Sequence, residues 1–153
     1  MRSKPGLSGT NTSQLILLML DKTMKIREAH PSDAPAIVLL LDQLGYPNTG
    51  DFLADRIKSL LGDPEEELVV GEQDDVIVAI LSLHYIPQLA SRGPFARISY
   101  FCVHHDHRSC GLGRQLEDYV EQAARARGCD RIEVHCHSRR TDAHRFYTRQ
   151  GYE

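Results

Sequence analysis

The chain has 153 residues, of which 41% are hydrophobic and 25% are charged, so it has the length and composition of one soluble domain. Roughly two-thirds of the unfolded surface can be buried at this length, and no metal or disulfide is needed to complete a core. The formal net charge of -3 and the pI near 6.2 argue against nucleic-acid binding, and no apolar run reaches the roughly 20 residues that cross a bilayer.

The first 23 residues differ in composition from the rest of the chain. Residues 3–13 are rich in Gly, Ser, Thr and Asn, which is typical of a solvated segment without a core. The short apolar run at 15–20 is followed by no small-residue cleavage site, so it is not typical of a secretory signal. We therefore interpret residues 1–23 as a flexible N-terminal extension and residues 24–153 as the folded domain.

Apolar periodicity predicts the elements of that domain in chain order. Residues 24–29 alternate as in a strand, and two helices are predicted, over 32–44 and from 49 or 51 to 61, ended by Gly45 and Gly62. Strands are predicted over 67–71 and 76–86 around a polar turn at 72–75, followed by a loop at 87–94 and a strand at 97–103. A helix over 113–127, a strand over 131–137 and a helix over 142–150 complete the series.

The helix predicted over 113–127 has the strongest amphipathic pattern. Leu116, Tyr119 and Val120 are expected on its buried face, whereas Glu117 and Glu121 are expected in solvent. Strands and helices follow one another without an internal repeat or a second domain boundary. The fold class is therefore α/β (α+β), with a mixed sheet flanked by helices.

Four cysteines lie in the last third of the chain, with no compact extracellular framework around them. Small disulfide-rich domains space their cysteines throughout a short chain, which is not the pattern here. We interpret these residues as reduced thiols of a cytoplasmic protein. They are Cys102, Cys110, Cys129 and Cys136.

A glycine-containing turn joins the strand at 97–103 to the helix at 113–127. Glycine lets the backbone approach a ligand closely, and the amides at a helix N-terminus are unpaired donors at the positive end of the helix dipole. With an arginine on each side, the turn is a candidate diphosphate site. It lacks the Gly-Lys pair of a P-loop, and Leu116 replaces the third glycine of a dinucleotide fingerprint. Its sequence is Arg108-Ser109-Cys110-Gly111-Leu112-Gly113-Arg114.

The order Arg-x-x-Gly-x-Gly, after a strand that ends at Val103, resembles the acetyl-CoA signature of the GNAT N-acetyltransferase superfamily. The helix ending at Gly128 and the segment Ala-His-Arg-Phe-Tyr-Thr-Arg-Gln-Gly-Tyr at 143–152 also resemble that family's pattern. The resemblance covers residues 24–153 and is most specific from Ile98 onward. It implies a mostly antiparallel central sheet, flanked by helices and opened by a V-shaped cleft between two splayed strands.

The resemblance implies acetyl-CoA as co-substrate and suggests which residues bind it. The backbones of Phe101, Cys102 and Val103 match a bulged strand segment that pairs with pantetheine as an added strand would. Arg108 matches the first residue of the signature. The positions whose amides cradle the pyrophosphate are matched by Ser109, Cys110, Gly111, Leu112, Gly113 and Arg114.

The implied reaction is direct transfer of an acetyl group from the thioester to a primary amine, without a covalent enzyme intermediate. Tyr147 matches the tyrosine that often protonates the departing thiolate, although a Phe-Tyr pair on a terminal helix is also frequent in cores. Glu133 roughly matches a catalytic glutamate of some relatives, and it is equally interpretable as a surface carboxylate paired with Arg131. His135 and a water chain are further alternatives for the base.

Two features depart from the family's pattern. The loop at 138–142 reads Ser-Arg-Arg-Thr-Asp where many relatives carry an asparagine, and the strand that normally follows Gly151-Tyr152 is missing from this sequence. Because an open sheet edge favours pairing with another chain, we predict a homodimer. A swapped strand or the N-terminal extension would then fill the gap. The alternative is an isolated monomer of poor stability.

The sequence leaves the acceptor open between a small-molecule amine and a protein amine. Glu28, Asp51 and Asp55 are candidates for attracting a cationic amine, and the loop at 87–94 and the two early helices are expected to line the acceptor side. Two other functions remain: an inactive CoA-binding or sensory module, and a metal-binding regulator. The metal-binding regulator would use His104, His105, His107, Cys110 and residues 135–137. The spacing of these residues matches no structural zinc motif, so we predict no metal.

Overall fold

The computed structural model describes residues 23–134, 145–146 and 148–152. Within them, no helix has the length and apolar character that crossing a membrane requires. The strands of these residues are β1 (Lys25–Glu28), β2 (Glu66–Gln73), β3 (Val76–Ile86), β4 (Phe95–Val103) and β5 (Arg131–Val134). The α-helices are α1 (Ala34–Leu44), α2 (Leu53–Leu61) and α3 (Leu112–Ala126), with short 3-10 turns at Pro31–Asp33 and His105–His107.

The five strands form one sheet in the order β1-β2-β3-β4-β5. Neighbours from β1 to β4 are antiparallel, and β5 runs parallel to β4. This confirms the expected mixed, mostly antiparallel sheet. A parallel neighbour requires a crossover connection, and α3 lies in that connection. The N-terminus of α3 therefore follows closely on the C-terminal end of β4.

Helices cover both faces of the sheet. On one face, which we call the α1/α2 face, the first two helices pack over strand residues such as Val70 and Ile80. On the other, the α3 face, Leu116 and Val120 pack against strand residues such as Leu81. Burial of these apolar side chains on two sides of one sheet supplies the main stabilisation of the fold.

A bulge interrupts the pairing of β3 with β4. Tyr100 pairs with Ser82, but Ile98 pairs with the very next residue of β3, so Ser99 is an extra residue on β4. Because successive side chains of a strand point to opposite faces, one extra residue exchanges the faces beyond it. Ile98 accordingly belongs to the core of the α3 face, whereas Cys102 belongs to that of the α1/α2 face.

The first two helices end where their glycines predict. Gly45 has φ 100, and the amide of Tyr46 donates to the carbonyl of Leu41 at 2.8 Å, which is a Schellman motif. Gly62 follows α2 in the right-handed region, with φ -82. The predicted polar turn at 72–75 is shorter in the structure, because β2 continues to Gln73. Only Asp74 and Asp75 form the turn, with φ 49 and 63, as in a two-residue hairpin.

The predicted solvent face of α3 is wrong at Glu117. This residue is 2% exposed, and its Oε1 accepts a hydrogen bond of 2.6 Å from the hydroxyl of Tyr152. The helical periodicity of the sequence shows that Glu117 lies beside the apolar stripe, but the segment that covers it comes 35 residues later. Burial at this edge of α3 therefore depends on tertiary structure.

The described part of the last predicted helix is helical at Arg145, Phe146, Thr148 and Arg149. Phe146 packs against the core of the α3 face. The end of the strand predicted over 131–137 lies outside the described residues, as do residues 1–22 of the predicted N-terminal extension.

Candidate active site

Two left-handed residues shape the turn between β4 and α3. Ser109 has φ 64 and Gly111 has φ 81, with Cys110 between them, and α3 begins at Leu112. Left-handed residues next to ordinary ones make a concave group of amides that attracts anions, and the first turn of a helix adds unpaired donors. The predicted diphosphate loop therefore has the local geometry of an anion site.

Arginine side chains flank this turn at both ends. Arg108 donates from Nε to the carbonyl of Val103 at 3.2 Å, which ties the start of the turn to the end of β4. Arg108 and Arg114 are both exposed. Their guanidinium groups are therefore placed to form charge-assisted hydrogen bonds with an anion at the turn.

The two glycines of the turn have different surroundings. A Cβ added at Gly111 would meet no atom within 4 Å, so the space above this residue is open. A Cβ added at Gly113 would lie 3.1 Å from Cε2 of Phe146. Gly111 thus opens the turn to a ligand, whereas Gly113 lets the C-terminal segment pack on the start of α3.

One edge of β4 is paired along its length and the other is paired only in part. β3 pairs with β4 up to Val103. In the part of the chain that the structure describes, β5 pairs with β4 only from Phe95 to Ile98. Among the described residues, no strand pairs with this second edge of β4 at residues 101–103, directly before the anion-binding turn.

Three predicted cofactor-binding residues have side chains that pack into the protein. Cys102 is 3% exposed, with its Sγ 3.5 Å from the carbonyl of Leu40. The ring of Phe101 lies 5.4 Å from that of Phe146, and Leu112 is buried in the core of the α3 face. Only the backbones of these three residues remain for a ligand in the cleft.

A row of charged side chains crosses four strands on the α1/α2 face. The strand register pairs Glu66 with His84, His84 with Arg97, and Arg97 with Glu133, and we call these four residues the charged row. Oε1 of Glu66 contacts Nδ1 of His84, and Nη2 of Arg97 lies 3.2 Å from Oε2 of Glu133. The side chains of His84 and Arg97 are 38% and 39% exposed. The middle of the row is therefore open to solvent.

Aromatic residues lie between the charged row and the open edge of β4. Tyr100 pairs with Ser82, one row nearer to the cleft, and its side chain faces α1. Its ring meets that of Tyr46 edge to face, with the centroids 5.3 Å apart. Tyr46 directly follows the glycine that ends α1, so the Schellman turn sets its position. By strand register, the tyrosine pair lies between the charged row and residues 101–103 of β4.

The carboxyl group of Glu66 is shifted by its surroundings. Burial raises its pKa, and the neighbouring His84 lowers it, with burial as the stronger cause. A carboxyl group in that condition accepts a hydrogen bond from imidazole in a partly desolvated environment, where the bond is stronger than in water. Glu66 is therefore suited to holding the imidazole of His84 in one orientation.

Of the two predicted catalytic residues, only Glu133 lies within the described part of the chain. It is ion-paired with Arg97, and its Oε1 is 3.8 Å from Nη1 of Arg131, as in the predicted surface pair. Tyr147 and the alternative base His135 lie outside the described residues. Sequence reasoning missed His84, because strand register alone brings it next to two charged groups. The available signal was a histidine within the apolar run of β3.

A cavity of about 930 Å³ lies between α3, β5 and residues 150–152. Glu117 lines it, and Oε2 of this residue is buried without a hydrogen-bond partner among the described residues. Burial raises the pKa of Glu117. Of the described residues predicted for the site, Glu133 alone is part of this lining, so the cavity is separate from the anion-binding turn.

One group of potential metal ligands occurs among the described residues. Ligand atoms of His104, His105 and Asp106 all lie within 4.8 Å of one another. The amide of Asp106 donates to Nδ1 of His104 at 3.2 Å, which occupies one ring nitrogen. Residues 135–137 of the alternative metal hypothesis lie outside the described residues.

Residues 33–152 match the model of the acetyltransferase (GNAT) family. An aminoalkylphosphonate N-acetyltransferase of Salmonella typhimurium is 29% identical over 131 residues, which are 84% of each chain. A transcriptional regulator from Bacillus halodurans shares the fold with a TM-score of 0.77 at 28% identity, over 86% of this chain and 93% of that chain. An aminoglycoside N-acetyltransferase in complex with CoA has a TM-score of 0.75 at 16% identity, over 86% and 88% of the two chains.

Proposed function

Because this chain belongs to the acetyltransferase (GNAT) family, we propose that it transfers an acetyl group from acetyl-CoA to a primary amine. Membership of the family makes it an acyltransferase. The observation that carries the proposal is the adjacency of two features, the anion-binding turn at residues 108–114 and the edge of β4 at 101–103, which no strand of the described residues pairs with. A ligand that joins a diphosphate to a peptide-like arm requires an anion site next to a strand edge, because the two parts of the ligand are adjacent.

The turn and the strand edge divide the binding of acetyl-CoA between them. The pyrophosphate accepts hydrogen bonds from the amides of residues 109–114, with Arg108 and Arg114 as cationic partners. The amides of pantetheine pair with the backbone of residues 101–103. The solved relative in complex with CoA, an aminoglycoside N-acetyltransferase of the same fold, supports this choice of co-substrate.

The chemistry proceeds in a ternary complex of enzyme, thioester and amine. The neutral amine attacks the thioester carbonyl, whose oxygen gains negative charge and is stabilised by a backbone N–H near Val103. The carbon–sulfur bond breaks, and the thiolate takes a proton from Tyr147. Glu133 remains our sequence-based candidate for removing the proton from the amine, and the variant Glu133→Gln tests it.

A small-molecule primary amine is the acceptor that we propose. The relative from Salmonella typhimurium is named for aminoalkylphosphonates, which carry such an amine, and its identity to this chain extends over 131 residues. The surface formed by the charged row and the tyrosine pair offers both charged and aromatic contacts to a small polar molecule. The N-terminus of a protein is the alternative acceptor.

We further propose that the acetyltransferase unit spans residues 24–153, after a flexible extension, and works as a cytoplasmic homodimer with strand exchange. Cys102, Cys110 and Cys129 form no disulfide, which suits a reducing compartment. Among the described residues, β5 has β4 as its strand partner on one side, and a cavity lies beside it. Light scattering of the purified protein distinguishes the dimer from a monomer.

Calorimetric titration tests the division of the binding site. Acetyl-CoA is expected to bind about 100-fold more tightly than S-acetyl-pantetheine, because the shorter thioester lacks the diphosphate and its charge-assisted hydrogen bonds. Turnover is then followed by thiol release with a panel of primary amines that includes aminoalkylphosphonates. Equal affinity for the two thioesters would contradict the role of the turn. Tight binding without any turnover would favour the inactive CoA-binding module.

A further inference from the structure

We propose that His84, held by Glu66, is the base that takes the proton from the acceptor amine. The inference rests on the proposed function and names a catalytic group for it. An alkyl ammonium has a pKa of about 10 and cannot attack a carbonyl until it loses a proton, so the reaction needs a proton acceptor on the side from which the amine arrives. The charged row lies on that side, next to Tyr100 and the open edge of β4.

The position of His84 follows from strand register. It pairs with Arg97, and Ser82, two residues before it on β3, pairs with Tyr100. A strand rises about 3.3 Å per residue, which separates the two rows by about 7 Å. Val103, near which we place the thioester carbonyl, pairs with Ala79, five residues from His84 and about 16 Å away along the strand, so the amine and a chain of water molecules have to bridge the gap to the imidazole.

Glu66 gives the imidazole the orientation of a base. Its carboxylate contacts Nδ1 of His84, which is a buried atom, and we infer that this contact keeps the imidazole proton on Nδ1. Nε2 is then left with the lone pair that accepts a proton from substrate. The side chain of His84 is 38% exposed while that of Glu66 is 16% exposed, so the imidazole has access to solvent and its anchor is more deeply held.

The charges around His84 come from three strands and one loop. Glu66 on β2 and Arg97 on β4 flank it, Glu133 on β5 follows Arg97 in the row, and Asp63 lies on the far side of Glu66. The row therefore places a carboxylate on one side of His84 and a guanidinium group on the other.

His84 is better placed for this role than Glu133. Both oxygens of Glu133 face guanidinium groups, at 3.2 Å for Arg97 and 3.8 Å for Arg131. Each oxygen of Glu133 therefore already has a cationic neighbour. The contact of His84 with Glu66 occupies Nδ1 alone and leaves the other ring nitrogen for the amine.

The proton and electron balance of the step is complete without a further reagent. Nε2 of His84 takes one proton from the ammonium, and the freed lone pair of the amine forms the new carbon–nitrogen bond. The carbon–sulfur bond breaks, and the thiolate receives the second proton of the nitrogen through the acid at the sulfur. His84 then releases its proton to water, so the products are the amide, CoA thiol and one proton.

The pH dependence of the variant His84→Asn tests the proposal. At pH 7 its kcat/KM for the amine is expected to fall about 100-fold or more, since general bases contribute about 100-fold to 10,000-fold. The deficit is expected to narrow toward pH 10, where solvent deprotonates the amine. The affinity for acetyl-CoA, measured by calorimetry, should stay unchanged. In the cavity variant His84→Gly, added imidazole should restore part of kcat.

Matched variants separate catalysis from structure. His30→Asn removes another histidine but keeps an acceptor for the amide of Ser32, so its activity should equal that of the wild type. Glu66→Gln keeps the shape of the anchor without its charge and should lower kcat with little change in acetyl-CoA affinity. Glu133→Gln should still show a pH dependence of kcat, because it keeps His84 as the base, although the loss of a charge in the row is expected to displace the profile.

A deficit of His84→Asn that stays constant from pH 7 to pH 10, with no rescue by imidazole, would overturn the proposal and indicate a structural role. Loss of the pH dependence in Glu133→Gln instead would assign the base to Glu133. A wild-type protein that fails to bind acetyl-CoA or to acetylate any amine would contradict the proposed function itself. These outcomes are distinguishable in one set of assays.

Discussion

Gly111 and Gly113, two residues apart, satisfy different physical requirements. Gly111 has φ 81 and faces open space, so its backbone conformation is what excludes a side chain. Gly113 is crowded by the ring of Phe146. The sequence shows two glycines in a turn before a helix, and the left-handed conformation of Gly111 is a local requirement of that turn. The sequence does not show which glycine faces the ligand, because Phe146, which crowds Gly113, is 33 positions further along the chain.

Gly111→Ala tests the conformational requirement. A non-glycine residue with this φ costs about 1 kcal/mol or more, so urea unfolding should show a loss of that size. Acetyl-CoA affinity should fall about tenfold, because relief of the strain moves the amides of the turn. Gly62→Ala is the matched control: its φ is -82, and its Cβ would meet only two carbonyl oxygens at 3.6 Å. Equal behaviour of the two variants would show that the turn tolerates a side chain.

Glu117 makes stability depend on pH in a defined direction. Burial raises its pKa above that of the unfolded chain, so the folded state keeps the proton to higher pH. The free energy of unfolding therefore falls as pH rises from about 4.3, the ordinary value for glutamate, through the raised pKa of the folded state. This residue destabilises the fold at neutral pH and does so much less in acid.

Glu117→Gln removes this dependence. The difference in free energy of unfolding between variant and wild type is measured by urea unfolding at pH 4 and at pH 7.5. It should favour the variant by about 1 kcal/mol more at pH 7.5 than at pH 4. Glu121→Gln removes a charge one turn later on α3 that is a lesser cause of the raised pKa of Glu117, so its effect on the pH dependence should be smaller. The proposed shift would be wrong if the two variants showed the same pH dependence.

At the scale of elements, α3 is held to the sheet by a half-buried carboxylate with two tyrosine partners. The hydroxyls of Tyr85 on β3 and Tyr119 on α3 both donate to Glu67 on β2. Burial is the largest cause that raises the pKa of each tyrosine, and both hydroxyls stay protonated at neutral pH as donors. The guanidinium of Arg127 stacks 4.1 Å above the ring of Tyr85. Helix and strands are thus joined at the end opposite to the anion-binding turn.

Tyr119→Phe measures how much this junction stabilises the fold. The ring and its packing remain, and one oxygen of Glu67 loses its donor, so the free energy of unfolding should fall by about 1 to 2 kcal/mol. The kcat of the folded enzyme should not change. Combining it with Tyr85→Phe should give less than the sum of the single losses, because both hydroxyls share one carboxylate. Full additivity would mean that the two bonds are independent.

The bounds of the helices and of the strands were predictable from the sequence to within a few residues. Gly45 and Gly62 mark helix ends by local conformation alone, so neighbouring residues suffice to place them. The bulge at Ser99 and the charged row were not predictable. Each depends on how residues of separate strands line up, and nothing within one strand encodes that alignment.

On the scale of the whole molecule, the two faces of the sheet have separate tasks. The α3 face carries the helix whose start completes the anion-binding turn, and the α1/α2 face carries the tyrosine pair and the charged row. We therefore expect the two substrates to meet at the open edge of β4 from opposite sides. A product on one face can then leave without displacing what is bound on the other.

The extra residue of β4, Ser99, determines on which face of the sheet each later side chain of the strand lies. Arg97 and Tyr100 are separated by an odd number of positions, yet they share a face because Ser99 adds a half-period to the pleat. Deleting that one serine would rotate the downstream side chains through half a turn, and Tyr100 would leave the surface that holds His84. Changes of length at this point are thus far more consequential than changes of side chain, and natural variants should differ in the identity of residue 99 while preserving the count.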